Sequence, residues 1–308
     1  MKFIIIILNK LKSFYEIKKY ATIDIGSNAI RLLISNIIIR NDFPVETTKN
    51  ALIRVPIRLG QDAFTKGFIS NENISRLIDS MNSFKLLMKV HKVEKHLAYA
   101  TSALRSASNR LEIVSKVKSK SGISIKIIDG KKEGSLITRD KIFNQKDNSD
   151  TFCFIDVGGG STELTIFKNS KIVKSKSFKI GGVRLINNLV SEKTWKSFYN
   201  WIINNIKILG KIRVIGLGGN INKIFKISGT KICTPLSLKK LNSTILKIEK
   251  MSYLDKNLVL KLNPDRLDVI VPAGKIYQYL LNILSTKQIE VPKIGLADGM
   301  VSELTNEL

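Results

Sequence analysis

Two segments of this chain superimpose at one constant spacing, and that repetition constrains the fold more than any other feature. Ile23-Asp-Ile-Gly-Ser-Asn-Ala-Ile-Arg-Leu-Leu-Ile34 and Ile155-Asp-Val-Gly-Gly-Gly-Ser-Thr-Glu-Leu-Thr-Ile166 set Asp24 over Asp156, Gly26 over Gly158, Leu32 over Leu164 and Ile34 over Ile166, each pair 132 residues apart. The chain reads as two related halves. Apolar residues alternate with period two beside each glycine turn, as at Ile30, Leu32 and Ile34 and at Leu164 and Ile166, which predicts strand, tight turn, strand. A dinucleotide-binding glycine loop opens a helix, and a Walker loop carries Gly-Lys-Ser/Thr. Gly158 to Ser161 meets neither requirement, so both readings are excluded.

The length of 308 residues suits two domains, and 44% hydrophobic with 25% charged residues is ordinary for a globular chain. The charge is not ordinary: 51 Lys and Arg against 25 Asp and Glu leave +26. Such a field attracts nucleic acid, anionic lipid or phosphate chains. The excess is mostly lysine, in a chain also crowded with Ile and Asn. These three residues share A- and T-rich codons, so the charge permits an anionic partner without naming it. No nucleic-acid-binding module accompanies it. Cys153 and Cys233 lack CxxC spacing and histidine clusters, so neither a zinc site nor a disulfide framework is suggested, which fits a cytoplasmic protein. The apolar run Phe3 to Leu8 is six residues long, short for a signal core or a membrane span, and reads as an extension.

Between the two motifs, Ile74, Leu77, Ile78, Met81, Phe84 and Met88 recur at helical spacing behind Ser70 or Asn71 as a cap. A strand at Leu97 to Ala100, a helix around Leu111 to Val117 and a strand at Ile123 to Ile128 follow. Later, Trp195 to Leu209 predicts a helix and Ile212 to Leu217 a strand. Leu236 to Met251 and Asp265 to Ile283 predict helices, the last kinked or broken at Pro272. The expected class is α/β, mixed sheets flanked by helices. Hydrophobicity is lowest around Gln145 to Asp150, but the glycine pair Gly130 and Gly134 reads as the hinge, giving domains 1–134 and 135–308.

A strand-turn-strand with an aspartate at its start and small residues at its tip lets backbone N–H groups converge on an anion. Two such turns face to face would grip a phosphate from both sides. Asp24, Asp156 and Glu163 then supply hard oxygen ligands suited to Mg2+. Further stretches are Ala100-Thr-Ser-Ala-Leu-Arg105, Gly130-Lys-Lys-Glu133, Gly181-Gly-Val-Arg-Leu185, Gly216-Leu-Gly-Gly219 and Leu296-Ala-Asp-Gly299. With them, the sequence resembles the exopolyphosphatase and guanosine pentaphosphatase family over nearly its whole length, within the actin, sugar-kinase and heat-shock chaperone ATPase superfamily.

The resemblance implies two ribonuclease-H-like domains around an interdomain cleft, with room for the last helix to pack back on the first domain. It implies Mg2+-dependent release of terminal phosphate from polyphosphate or guanosine pentaphosphate. In that reading Glu133 orients or deprotonates the attacking water and Arg105 compensates charge on the transferring oxygens. Gly26, Ser27, Asn28, Gly158, Gly159, Gly160 and Ser161 hold phosphates, Gly218 and Gly219 are further substrate-binding candidates, and Asp24, Asp156 and Glu163 place the metal.

Lys132 departs from the family, which carries a second acidic residue there. A cation at this position is expected to lower the pKa of Glu133 and hold it ionised, or to draw substrate nearer, or to occupy the base in an ion pair. The chain stops shortly after Gly299 and so resembles the short, two-domain members. His91 and His96 are expected on the surface. Two other readings stay open: an ATP-dependent kinase or ATPase of the same superfamily, and a polyphosphate- or alarmone-binding sensor that has lost turnover. Neither a membrane nor a specific nucleic acid is an expected partner. A homodimer is compatible with the family, although no residue demands it.

Overall fold

The computed structural model describes residues 15–41, 43–138, 151–169 and 171–306. The apolar run at Phe3 to Leu8 and the break at Gln145 to Asp150 lie outside them.

Each motif folds as strand, tight turn, strand. In the first half, β1 (Tyr15–Ile25) pairs antiparallel with β2 (Ile30–Arg40), and β2 with β3 (Glu46–Val55). Beyond them come α1 (Leu59–Thr65), α2 (Asn71–Val90), β4 (Lys95–Ala100), α3 (Ser102–Ser106), α4 (Arg110–Ser121), β5 (Lys126–Ile127) and α5 (Gly130–Ile137). β4 and β5 add in parallel, so the sheet order is β3-β2-β1-β4-β5. The central strand is buried without interruption from Tyr20 to Ile25, as expected where both faces are covered. α2 starts where its cap predicts: Ser70 Oγ accepts from the Asn73 N–H at 3.4 Å, and Ile74, Leu77, Met81, Phe84 and Met88 are buried.

The second half repeats the design. β6 (Thr151–Val157), β7 (Thr162–Lys168) and β8 (Lys171–Phe178) are antiparallel neighbours, and β9 (Arg213–Leu217) runs parallel to β6, in the order β8-β7-β6-β9. Its helices are α6 (Gly182–Ile186), α7 (Glu192–Asn205), α8 (Gly219–Ile227), α9 (Leu238–Lys250), α10 (Tyr253–Leu258) and α11 (Ile270–Ile283). A small ribbon joins β10 (Leu236–Ser237) to β11 (Gln288–Ile289) before the final helix, α12 (Leu296–Thr305).

The repeat reaches into fine detail. The Gly26 N–H donates to Ala29 O at 3.2 Å, and 132 residues on the Gly158 N–H donates to Ser161 O at 2.9 Å. The β2–β3 register slips between Ile34 and Ser35, and the β7–β8 register slips at the equivalent Ile166 and Phe167.

Three expectations change. The strand at Ile123 to Ile128 shrinks to β5, two residues long. Pro272 does not kink a helix begun at Asp265. α11 begins at Ile270, so the proline occupies the first turn, where its missing N–H would have had no intrahelical partner. Gly130 and Gly134 lie within a helix, and Glu133 is therefore in a helical first turn rather than beside a strand. These two glycines let α5 touch the second sheet: a Cβ would meet Ser177 Cβ at 2.3 Å from Gly130 and Thr165 Oγ1 at 2.6 Å from Gly134.

α5 and α12 stand between the sheets. Leu136, Ile137, Leu296 and Met300 share one core with Tyr99 of the first sheet and Phe152, Phe154 and Ile215 of the second. α12 also lies against the first sheet, with Ala297 and Val301 packed on Tyr20, Leu33 and Ile37, and the Thr22 hydroxyl donates to Ala297 O at 3.0 Å. The two helices cross at Gly299, where a Cβ would stand 2.2 Å from Leu136 O. Among the described residues, no helix is long and apolar enough to cross a membrane.

Candidate active site

The two glycine turns meet tip to tip. A Cβ on Gly159 would sit 3.0 Å from Ser27 Cβ, and one on Gly160 would enter the Phe64 ring and approach Ser102 Oγ. Between them lies a cavity of about 360 Å³ lined by Asp24, Gly26, Ser27, Asn28, Glu133, Asp156, Gly158, Gly159, Gly160, Ser161, Gly218 and Gly219. These are the residues expected from sequence, less Arg105 and Glu163, which stand behind the lining.

Glu133 is carried by the first turn of α5, which Asp129 caps by accepting from the Lys132 N–H at 2.7 Å. It is 7% exposed, and its Oε2 has no hydrogen-bond partner. Burial pushes its pKa well up, Glu163 and Asp156 add to the rise, and Arg105 opposes it. Arg105 Nη1 stands 3.6 Å from that Oε2 and donates to Ile128 O at 2.5 Å, which fixes the guanidinium beside the carboxylate. Lys132 does not act on Glu133 as expected. Its ammonium is turned away to Glu303 of α12 at 2.6 Å, and the pKa of Glu133 is raised by burial rather than lowered by Lys132.

Glu163 faces Asp156 across β6 and β7. Burial raises both, Asp156 to about 7, with Glu163 and Asp24 contributing and Arg31 opposing. Hydrogen bonds from Ser161 and from Ser177 Oγ, the latter at 2.7 Å, moderate Glu163. At the equivalent place in the first half, Asp24 faces Arg31 and pairs with it at 2.6 Å. Gly218 holds φ +97, and a Cβ there would lie 2.5 Å from Asp156 Oδ1, so only glycine fits.

Among the described residues, no three His, Cys, Asp or Glu side chains cluster tightly enough to hold a metal by themselves. The donor set still suits a hard cation that completes its shell with substrate oxygens. Asp156 and Glu163 are buried carboxylates facing each other, with Asp24 adding to the rise of Asp156, an arrangement that a cation would relieve.

Residues 51–307 match the model of the Ppx/GppA phosphatase family. The chain belongs to that family. A bifunctional 3-dehydroquinate synthase/phosphatase of Fusobacterium nucleatum is 28% identical over 310 residues, 92% of this chain and 46% of that protein. A guanosine-5'-triphosphate,3'-diphosphate pyrophosphatase of Photobacterium profundum is 24% identical over 94% of this chain and 60% of that protein. The chain thus spans about half to three-fifths of these two relatives. The crystal structure of an exopolyphosphatase from Cytophaga hutchinsonii matches with TM-score 0.82 and 25% identity, over 94% of this chain and 99% of the other. The expected α/β architecture of two sheets around a cleft is therefore the Ppx/GppA fold.

In this Ppx/GppA chain the cavity lining also carries six cations, which the sequence reading missed. Arg31, Lys49, Arg54, Lys223, Arg266 and Lys293 line it, with Arg31 paired to Asp24, Lys49 to Asp298 and Arg54 to Asp265. Arg266 donates to Gly219 O at 3.0 Å, and burial together with Arg54 and Arg31 lowers its pKa to about 10. Arg31 was legible, because it occupies Glu163's place in the repeat. No motif marked Arg266. Asn28 lines the cavity as expected, but its Nδ2 is engaged by Asp265, at 2.9 Å to both the carboxylate and the backbone carbonyl. Arg54 also grips Asp265 with two donors, Arg58 grips Asp268, and Gln61 pairs with Asn187, so the Ppx/GppA halves are clasped along one side of the cleft. On another side Arg184 donates to Gly160 O at 2.8 Å while its guanidinium covers the Phe64 ring at 4.0 Å. Behind the second turn the buried Tyr277 hydroxyl bridges strand ends, donating to Leu217 O and accepting from the Val157 N–H at 3.2 Å. His91 and His96 are not among the lining residues.

Proposed function

We propose that this protein hydrolyses phosphoanhydrides, releasing terminal phosphate from inorganic polyphosphate or guanosine pentaphosphate. The observation that carries the reading is the buried Oε2 of Glu133, without a hydrogen bond and 3.6 Å from the Arg105 guanidinium, in a cavity closed by two facing glycine turns. Its relatives support the reaction class by their names: one is a guanosine-5'-triphosphate,3'-diphosphate pyrophosphatase and one an exopolyphosphatase.

The chain's own groups divide the task. Backbone N–H groups of the two turns hold the terminal phosphoryl group, and Arg105 compensates charge that builds on its oxygens. A water aligned by Glu133 attacks the terminal phosphorus. Its proton passes to the free carboxylate oxygen, the bond to the bridging oxygen breaks, and the shortened chain leaves. The raised pKa of Glu133 makes its carboxylate a stronger base than a solvated glutamate. Asp24, Asp156 and Glu163 would hold Mg2+, which when bound supplies charge compensation for substrate oxygens.

The lining favours a chain of phosphates. Six cationic side chains border the cavity, of which Lys223, Arg266 and Lys293 stand outside the Arg31–Asp24, Lys49–Asp298 and Arg54–Asp265 pairs, and apolar lining residues such as Leu33, Leu52, Ile294 and Leu296 are aliphatic, offering no ring on which a base could stack. The test is phosphate release from polyphosphate, guanosine pentaphosphate and ATP in parallel, with Glu133→Gln as control. Release from either of the first two, abolished in the variant, is the expected result. Tight binding without release by the wild-type protein overturns it in favour of a sensor.

A further inference from the structure

Lys132 and Glu303 each sit at a helix end that disfavours its charge. Lys132 lies in the first turn of α5, where aligned peptide dipoles present partial positive charge, and Glu303 lies in the last turn of α12, where they present negative. Local helix preference explains neither residue. Lys132 Nζ and Glu303 Oε2 stand 2.6 Å apart, and the Tyr99 hydroxyl donates to Oε1 of the same carboxylate at 2.8 Å. Glu303 thus joins the start of α5 to the end of α12 and to β4. The pair is partly buried, with side chains 32% and 23% exposed, which distinguishes it from a freely solvated ion pair.

Consecutive helical residues diverge by about 100°, so Lys132 points to α12 while Glu133 points into the cavity. α5 has eight residues, too few to hold a helix in water without tertiary contacts. Gly130 and Gly134 set how near it lies to the second sheet, but glycines carry no side chain to resist rotation about the helix axis. Contacts with α12 do so instead: Leu136 and Ile137 pack with Leu296 and Met300, Gly299 lies against Leu136 O, and Lys132 pairs with Glu303 at the turn that bears Glu133.

The geometry points to Lys132 and Glu303 as a positioning pair that fixes the rotation of α5 and so aims the Glu133 carboxylate into the cavity. This rests on the phosphatase reading only where turnover reports the aim. The pair also answers how a cation replaces an acidic residue beside the base: its charge is answered from α12, not from the cavity.

The experiment compares Lys132→Met, Glu303→Gln and the double swap Lys132→Glu with Glu303→Lys in the full chain. Phosphate release and deuterium exchange at residues 130–137 are followed in each, with melting curves as the check on folding. Each single variant should lower kcat about tenfold or more while KM stays within about twofold, and should speed exchange in α5. The swap gives each helix end the charge its dipole favours and should restore both readouts. Singles with wild-type kcat and wild-type exchange overturn the proposal, as does a loss in folded singles that the swap does not restore. If the wild type itself releases no phosphate, the phosphatase reading falls instead, and the exchange data still decide the pair.

Discussion

Asp24 and Arg31 face each other across the first hairpin as an ion pair, whereas the equivalent residues of the second hairpin, Asp156 and Glu163, are two facing carboxylates. One half of the duplicated frame is charge-balanced and the other is not. Like charges directly opposite on neighbouring strands destabilise the pairing. The second hairpin therefore gains from a proton or a cation.

Stability should accordingly depend on pH and on Mg2+ together. Asp156 titrates near 7 in the folded chain, well above an unfolded carboxylate at about 4, so the folded state binds the proton more tightly. Its contribution is complete below the unfolded value and is lost as pH rises through about 7. With chelator present, melting temperature should fall between pH 5 and pH 8 through this group. Mg2+ should raise it by several degrees at pH 8 and much less at pH 5. Equal Mg2+ shifts at both pH values would count against a metal on these carboxylates.

Glu133→Gln should cut phosphate release by about a hundredfold or more while substrate binding persists. It also removes a charge from a buried acidic cluster, so the variant should melt no lower than wild type. Turnover within a few fold of wild type would remove Glu133 from the mechanism.

Tyr277→Phe tests the support behind the second turn. Losing the hydroxyl leaves the Val157 N–H and the Leu217 carbonyl without it in a buried setting, at a cost of about 1–3 kcal/mol. Because Asp156 and Gly218 adjoin those two groups, KM or kcat should suffer as well. Chemical denaturation and steady-state kinetics on one preparation would show whether the effects travel together.

Arg266→Ala should raise KM for polyphosphate roughly tenfold or more and weaken its salt dependence, with kcat little changed. An unchanged KM would place the substrate chain elsewhere.

Asp62 offers a stability prediction outside the cleft. Burial alone would raise its pKa, but Lys66, Ser70 and Asn73 hold it well below the ordinary carboxylate value. That contribution is present above the unfolded value and disappears as pH falls through the folded one. Asp62→Asn should therefore cost about 2–3 kcal/mol at pH 7 and progressively less in acid. A pH-independent difference in urea unfolding would contradict it.

The repeat made both turns and their carboxylates legible, because a strand-turn-strand is a local structure whose alternation and glycines are written in consecutive residues. Glu133 was found through the family motif, but its helical setting was not. Gly130 and Gly134 read as a hinge in the sequence, and their place in a helix against Ser177 and Thr165 comes only from tertiary packing. The orientation of Lys132 depends on Glu303, 171 residues away, and no local pattern encodes such a partner. Arg266 escaped for the same reason, since only tertiary packing brings its loop to Gly219. The difference between Arg31 and Glu163 was available in the sequence, at matched positions of the repeat.

The position of α12 under the first sheet bears on the order in which the molecule can be completed. During synthesis residues 15–138 leave the ribosome first, and domains generally fold as they emerge. The apolar patch formed by Tyr20, Leu33 and Ile37 nevertheless waits for Ala297 and Val301, so it stays open to chaperones or to wrong neighbours until translation has passed α12. The half that is made first is finished last.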